Sequence, residues 1–328
     1  MGTRGYVLRK VAQAFLTLLA VIVFNFFLFR ILPADPVALL TRGAGAQLSP
    51  EEQAEVRASY GLDEPLFPGQ FLDFMGDTLR LDFGVSWILR PGETVVSVFF
   101  DALWPTVVLV GLSTLFSMII GVILGVYSGW RRGGKLDVSS MGFSLVFYSM
   151  PEFWLGMLLI LLFSTTLGWF PASGRTSVGS DLTGFAHLAD VLNHLFLPLL
   201  TLTLAFIGEF YLVMRSSLLD VLGEDYITTA RAKGVREKWV LRRHAVRNAL
   251  LPTITLVALS FGFVLGGAIT VEYVFGYQGL GLLTFNALSA RDYPLLQGVF
   301  LFASAAVIVM NLIADLIYGY FDPRVREA

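Results

Sequence analysis

Six stretches of this chain are each long and apolar enough to cross a bilayer, and they constrain the fold more than anything else in the sequence. A helix needs about 20 mostly apolar residues to traverse the hydrocarbon core. Inside that core only helices and closed barrels satisfy every backbone polar group. The qualifying stretches are Val11–Leu32, Thr106–Tyr127, Val138–Leu167, Leu195–Ser216, Leu250–Phe275 and Leu295–Tyr320. The sequence therefore predicts an all-α membrane protein with six transmembrane helices. Only 15% of its 328 residues are charged, against about 25% in soluble domains. Gly121, Gly125 and Pro151 fall within the spans, where neighbouring helices re-satisfy freed backbone groups. The first stretch follows Arg4, Arg9 and Lys10 as a signal peptide would, but it is longer than a signal core of roughly 7–15 residues and has no small-residue cleavage site before Arg30. It reads as a retained span.

Six spans place both termini on one side. Sixteen Lys and Arg residues fall on the side of the termini, and six on the other, four of them in the long loop 33–101. Long loops hardly influence orientation, so both termini and the basic segment 217–249 are expected in the cytoplasm. The chain then divides into an N-terminal span (1–32), an extracytoplasmic loop (33–101) and a five-helix core (102–328). The outer loop holds eleven acids, from Asp35 to Asp101. Ser49–Glu52 is a capping box with Pro50 at the first helical position, so a short helix is expected to about Tyr60. Phe71, Leu72, Phe74, Met75, Leu79 and Leu81 suggest a second, amphipathic helix lying on the membrane face or another subunit. The loop is either a cap at a pathway entrance or a segment packed on its own helices.

Several chemistries are excluded. There is no cysteine, which removes disulfides, thiolate catalysis and Cys-type metal sites. His187, His194 and His244 lack ligand spacing, so no metal site is expected. No nucleophile–base pair appears within the spans, so no catalytic residue is assigned. An acid inside the membrane costs roughly 2.5–3.5 kcal/mol on insertion scales and faces a partner or a cavity. Glu209, in the middle of the fourth span, either lines a pathway or forms a structural pair, with Arg215 nearly two turns away. Pro151 breaks the third span beside Glu152, which serves gating or helix packing. Glu272 reads as structural, and Asp315 as the partner of a basic residue near the cytoplasmic end. Gly262, Gly266 and Gly267 allow close helix approach, at a subunit interface, at a gate or within one subunit. Trp104, Trp154 and Trp169 read as interface anchors.

The basic segment is the anomaly. Between Arg231 and Arg247 lie seven Lys or Arg residues and one acid, Glu237, with apolar sequence on either side. Glu224–Gly234 reads as a short helix of small residues that stops at Gly234. A second helix follows, with Val235, Trp239, Val240, Val246 and Leu250 as a partial apolar stripe. Pro252 fits the first turn of the fifth span. The bases can lie at lipid headgroups, each attracted by about 1 kcal/mol. The segment is either that or a docking helix for a cytoplasmic partner.

Here the sequence resembles a known family. Ala230-Arg231-Ala232-Lys233-Gly234, with Arg247-Asn248-Ala249-Leu250-Leu251-Pro252, is similar to the cytoplasmic loop of binding-protein-dependent ABC importer permeases. It resembles the dipeptide, oligopeptide and nickel branch, and there the first of two paired membrane subunits. In the general Glu-Ala-Ala-x-x-x-Gly pattern, Thr228 and Thr229 replace the first two positions, and only Ala230 and Gly234 match directly. Supporting motifs run along the chain: Arg30 to Pro36, Met150 to Gly156, Leu167 to Gly174, Val271 to Phe275 with Gly279 to Gly281, Arg291 to Pro294, and Phe321 to Arg324.

The resemblance implies a type I importer permease fold in the cell inner membrane, forming half of a pathway with a second, usually non-identical, permease subunit. It implies two cytoplasmic ATPases that hold ATP and Mg, and an extracytoplasmic solute-binding protein. The solutes would be di- or oligopeptides, opines or nickel chelates. The implied ATPase-docking residues are Asp225, Tyr226, Thr229, Ala230, Ala232, Lys233 and Gly234. The chain has no Walker-type phosphate loop, so it is not expected to be an enzyme or to hold a cofactor itself. No nucleic acid partner is expected. The competing readings are a secondary transporter or channel working without ATPases, and a membrane-embedded enzyme.

Overall fold

The computed structural model describes residues 3–31, 49, 51, 64–179, 182–264 and 268–321. Of the helix expected from Ser49 to Tyr60 only Ser49 and Glu51 are described, and Gly266 and Gly267 lie outside the described residues. Apart from one antiparallel bridge between Val85 and Thr94, the described residues pair no strands. The chain forms two compact units, residues 1–103 with 283–328, and residues 104–282.

In the first unit α1 (Thr3–Ile31) packs along α12 (Tyr293–Phe321). Lys10 reaches the Asp315 carboxylate at 2.9 Å, and the Tyr6 hydroxyl donates to the Asp315 carbonyl. This is the basic partner expected for Asp315. The amphipathic helix of the loop is α2 (Phe71–Arg80). Its Phe71 and Phe74 lie 5.2 and 5.4 Å from the fully buried ring of Phe26 in α1, so this apolar face covers the chain's own first helix. Leu72 and Leu79 remain exposed. Asp292, just before α12, is also fully buried. It accepts hydrogen bonds from the Ser86 hydroxyl (2.5 Å) and from the backbone N–H groups of Trp87, Ile88 and Leu89 (3.0–3.2 Å).

The second unit is built on α3 (Val95–Trp130), which begins in the first, and α6 (Gly184–Leu222). Both start eleven residues before the apolar stretch that announces them, at Val95 rather than Thr106 and at Gly184 rather than Leu195, because "TVVSVFFDALW" and "FAHLADVLNH" are themselves free of helix breakers. Pro105 and Pro198 sit within them without ending them. The third expected span is α4 (Lys135–Ser149) and α5 (Glu152–Leu159, continued by wide turns to Thr166), bent by 103°.

 The cause is local. Pro disfavours helical backbone in the residue before it, and Met150 and Pro151 are both extended, with ψ of 134° and 131°.

Beyond α6 come α7 (Asp225–Ala232), α8 (Glu237–Trp239), wide helical turns over Val240–Ala245, and α9 (Val246–Val264). The basic helix therefore runs without a break into the fifth expected span. Pro252 lies inside α9 rather than in its first turn, which corrects the sequence reading. The wide turns explain the continuity, since they absorb a change of helical register that a break would otherwise supply. The end of the expected span is α10 (Ile269–Val274), and α11 (Leu280–Ala290) follows. Among the described residues, four single helices and the bent α4–α5 pair are long and apolar enough to cross a membrane.

Candidate functional site

The basic segment folds as a seated helix with an open outer face. α7 begins at Asp225 after the extended Glu224, and the chain leaves it through Gly234 at φ +74°, a conformation glycine adopts without Cβ strain. Ile227 and Ala230, three residues apart, share the inner face and are buried. They pack with Met214 and Leu218 of α6, with Val240 and Ala245, and with Ala249 of α9. Asn248 of α9 donates to the Tyr226 hydroxyl at 2.9 Å. Arg231 lies 5.8 Å from the ring centre of Trp130 at the end of α3 and pairs with Glu237 at 3.1 Å. Both members of that ion pair are substantially exposed, so it contributes little beyond orientation.

Asp225, Tyr226, Thr229, Ala232, Lys233 and Gly234 are exposed together, whereas Ala230 is 7% exposed and faces the chain's own helices. Six of the seven residues singled out in the sequence thus form one accessible surface, with the seventh beneath it. Thr228 and Arg231 extend that surface. In the helix that follows, Val240 is buried but Trp239 is 55% exposed, so Trp239 leaves the expected apolar stripe. It stands out with Arg236, Lys238, Arg242, Arg243 and Arg247, all exposed.

Behind the seat lies a polar network that the sequence reading did not assemble. Asp137, in the first turn of α4, is 3% exposed. Arg215 of α6 holds it with two bonds, Nε to Oδ1 at 2.7 Å and Nη2 to Oδ2 at 2.9 Å. The Ser128 hydroxyl of α3 also bonds Asp137, and the Gly133 N–H donates to it at 2.9 Å. Tyr211 of α6 bonds Ser128 at 2.7 Å. The partners are separated by 78 and 83 positions, so no local pattern announces them. A second missed feature had a signal. Gly121, Gly125 and Gly129 recur every four residues on α3 and form its close approach to α6. A Cβ on Gly125 would stand 2.9 Å from the Met214 Cβ and from the Tyr211 carbonyl.

The remaining candidates are dispersed. Glu209 is half-buried on α6 and has no hydrogen-bond or ion-pair partner among the described residues, since Arg215 is engaged by Asp137. Glu152, beside Pro151 at the bend, accepts from the Thr270 hydroxyl at 3.3 Å. Glu272 is fully buried and accepts from the Thr106 hydroxyl at 2.7 Å and the Leu282 N–H at 3.0 Å. A Cβ on Gly279 would collide with both Thr106 and Glu272, which explains a glycine at this place in the turn. Gly262 lies in α9. Among the described residues no three His, Asp or Glu side chains gather as a metal site would require.

Comparison with known proteins follows the same lines. Residues 121–327 match the model of the binding-protein-dependent transport system inner membrane component family, and residues 4–82 match the N-terminal model of such membrane components. The chain is 39% identical over 324 residues to the glutathione transport system permease protein GsiC of Salmonella choleraesuis (strain SC-B67), covering 98% of this chain and 99% of that one. It is 35% identical over 322 residues to the oligopeptide transport system permease protein AppB of Bacillus subtilis (strain 168), with the same coverage. A solved structure of the MetNI methionine ABC transporter in inward-facing conformations superposes with a TM-score of 0.55 at 17% identity, covering 69% of this chain and 97% of that one. That likeness concerns the fold.

Proposed function

Because this chain belongs to the family of binding-protein-dependent transport system inner membrane components, we propose that it forms half of the pathway of an ATP-driven importer of di- or oligopeptides or related small solutes. The relatives named for glutathione and oligopeptide transport support the solute class; nickel chelates and opines remain within it. A second permease subunit, a paralogue of this chain, completes the pathway. An extracytoplasmic binding protein delivers the solute, and two cytoplasmic ATPases supply the ATP and Mg chemistry. The chain lies in the cell inner membrane with both termini and the basic segment in the cytoplasm.

The observation that carries the coupling role is the seating of α7. Ile227 and Ala230 fix it to α6 and α9, while Asp225, Tyr226, Thr229, Ala232, Lys233 and Gly234 stay accessible. A helix held on one side and open on the other can sit in a groove of an ATPase and pass its displacement to the spans as a rigid body. Of the intramembrane groups, unpaired Glu209 is the residue of this chain for the pathway wall, where a carboxylate would meet the amino group of a peptide. Pro151 and Glu152 mark the bend of the third span, and the sequence spacing of Gly262, Gly266 and Gly267 makes them the candidates for a gate.

The test is uptake by vesicles holding the assembled importer and its binding protein. Uptake is expected to require ATP, and Ala232→Trp is expected to abolish it while membrane insertion is retained. Transport that persists without ATP would instead favour a secondary transporter or channel, and normal uptake by the Ala232→Trp importer would count against the docking role of α7.

A further inference from the structure

We propose that the buried Asp137–Arg215 pair is a positioning element that makes the first half of the third span travel with α7; the inference rests on α7 being the ATPase-docking helix. Met214 and Leu218 of α6 form part of the seat under Ile227 and Ala230. Arg215 belongs to the same turn of α6 but reaches the other way, to Asp137 in the first turn of α4. One turn of α6 therefore shares a buried cluster with the docking helix and is bonded to the start of the third span. The glycines at 121, 125 and 129 bring α3 against that same stretch of α6, and Ser128 joins the network from α3.

The form of the contact matters. Two parallel bonds between a guanidinium and a carboxylate fix orientation as well as distance, which apolar packing of α4 on α6 would not do alone. The Gly133 N–H and the Ser128 hydroxyl complete the carboxylate's bonding, so the pair is buried without leaving its charge unsupported. α4 then ends at Met150 and Pro151, where two extended residues begin the 103° bend. A displacement of α7 would thus carry α3, α4 and α6 together, and the bend is where α5 is released from that motion.

The experiment uses the complete importer, with partner permease, ATPases and binding protein, in vesicles. It compares solute taken up per ATP hydrolysed for Asp137→Asn and Arg215→Lys. Arg215→Lys keeps the positive charge that Asp137 needs, and with it the fold, but cannot form the two-bond fork. The expected result is a fall in uptake per ATP of about tenfold in both variants, with ATPases still bound and hydrolysing. Arg215→Lys carries the test by itself if Asp137→Asn does not assemble. A lower melting temperature with unchanged uptake per ATP would overturn the proposal and leave the pair a structural bond only. Ala232→Trp, measured alongside, separates the two ideas. If it imports normally, the docking role of α7 fails and this inference with it; if it is uncoupled while the pair variants match wild type, this inference alone fails.

Discussion

Glu272 and Asp292 have no exposed surface and, among the described residues, no cationic partner. A buried polar group is costly unless its hydrogen bonds are made. Each of these carboxylates is met by donors from a distant segment of the chain, Ser86 to Leu89 for Asp292 and Thr106 for Glu272, and each therefore ties two segments together rather than holding a ligand. The reading of Glu272 as structural follows from its position at a span end, and the structure adds its partners Thr106 and Leu282. Asp292 was legible only as part of a motif, because Ser86 lies 206 positions away. Asp292→Ala would strand the donors of Ser86, Trp87, Ile88 and Leu89. A buried donor left unsatisfied costs about 1–3 kcal/mol, so the variant should unfold at a clearly lower temperature in detergent, with Asp292→Asn losing less. A melting curve matching wild type would contradict this role.

At the scale of elements, the close approach of α3 to α6 depends on glycines that no larger residue can replace. Gly125→Val would push a side chain into Met214 and the Tyr211 backbone, and overpacking of this kind costs about 1–3 kcal/mol. Gly111 on the same helix has no heavy atom within 4 Å of a built Cβ, so Gly111→Val is the matched control and should cost far less thermal stability. Equal melting temperatures for Gly125→Val and Gly111→Val would refute the packing account. The four-residue spacing of these glycines was available in the sequence, but glycine in a membrane span was read there as tolerated rather than required. The break at Pro151 was legible because proline acts on its immediate neighbour. The continuity of α8 and α9 was not, because Pro252 suits a first turn and a helix interior bordered by wide turns alike, and only packing chooses between them.

At the scale of the whole molecule, the sequence carried the class of protein. Long apolar stretches and the placement of bases determine a multi-pass architecture with little help from tertiary detail. The short helix ending at Gly234 was legible through its motif and its glycine, and the structure separates its two faces by burial, turning Ala230 inward. What escaped was the connection behind it. The Asp137–Arg215 pair joins residues far apart in sequence, and a span containing a single Asp or Arg does not name its partner. The importer reading therefore stands on the outer face of α7 meeting an ATPase. The chain has no cysteine, so a single Thr228→Cys substitution supplies a unique attachment point on that face. Treating the assembled importer with a short thiol-to-amine cross-linker should join this chain to an ATPase subunit. A control cysteine at Val178, exposed in the loop before α6, should give no such product. Absence of the Thr228 product in an importer shown to contain both ATPases would contradict the account.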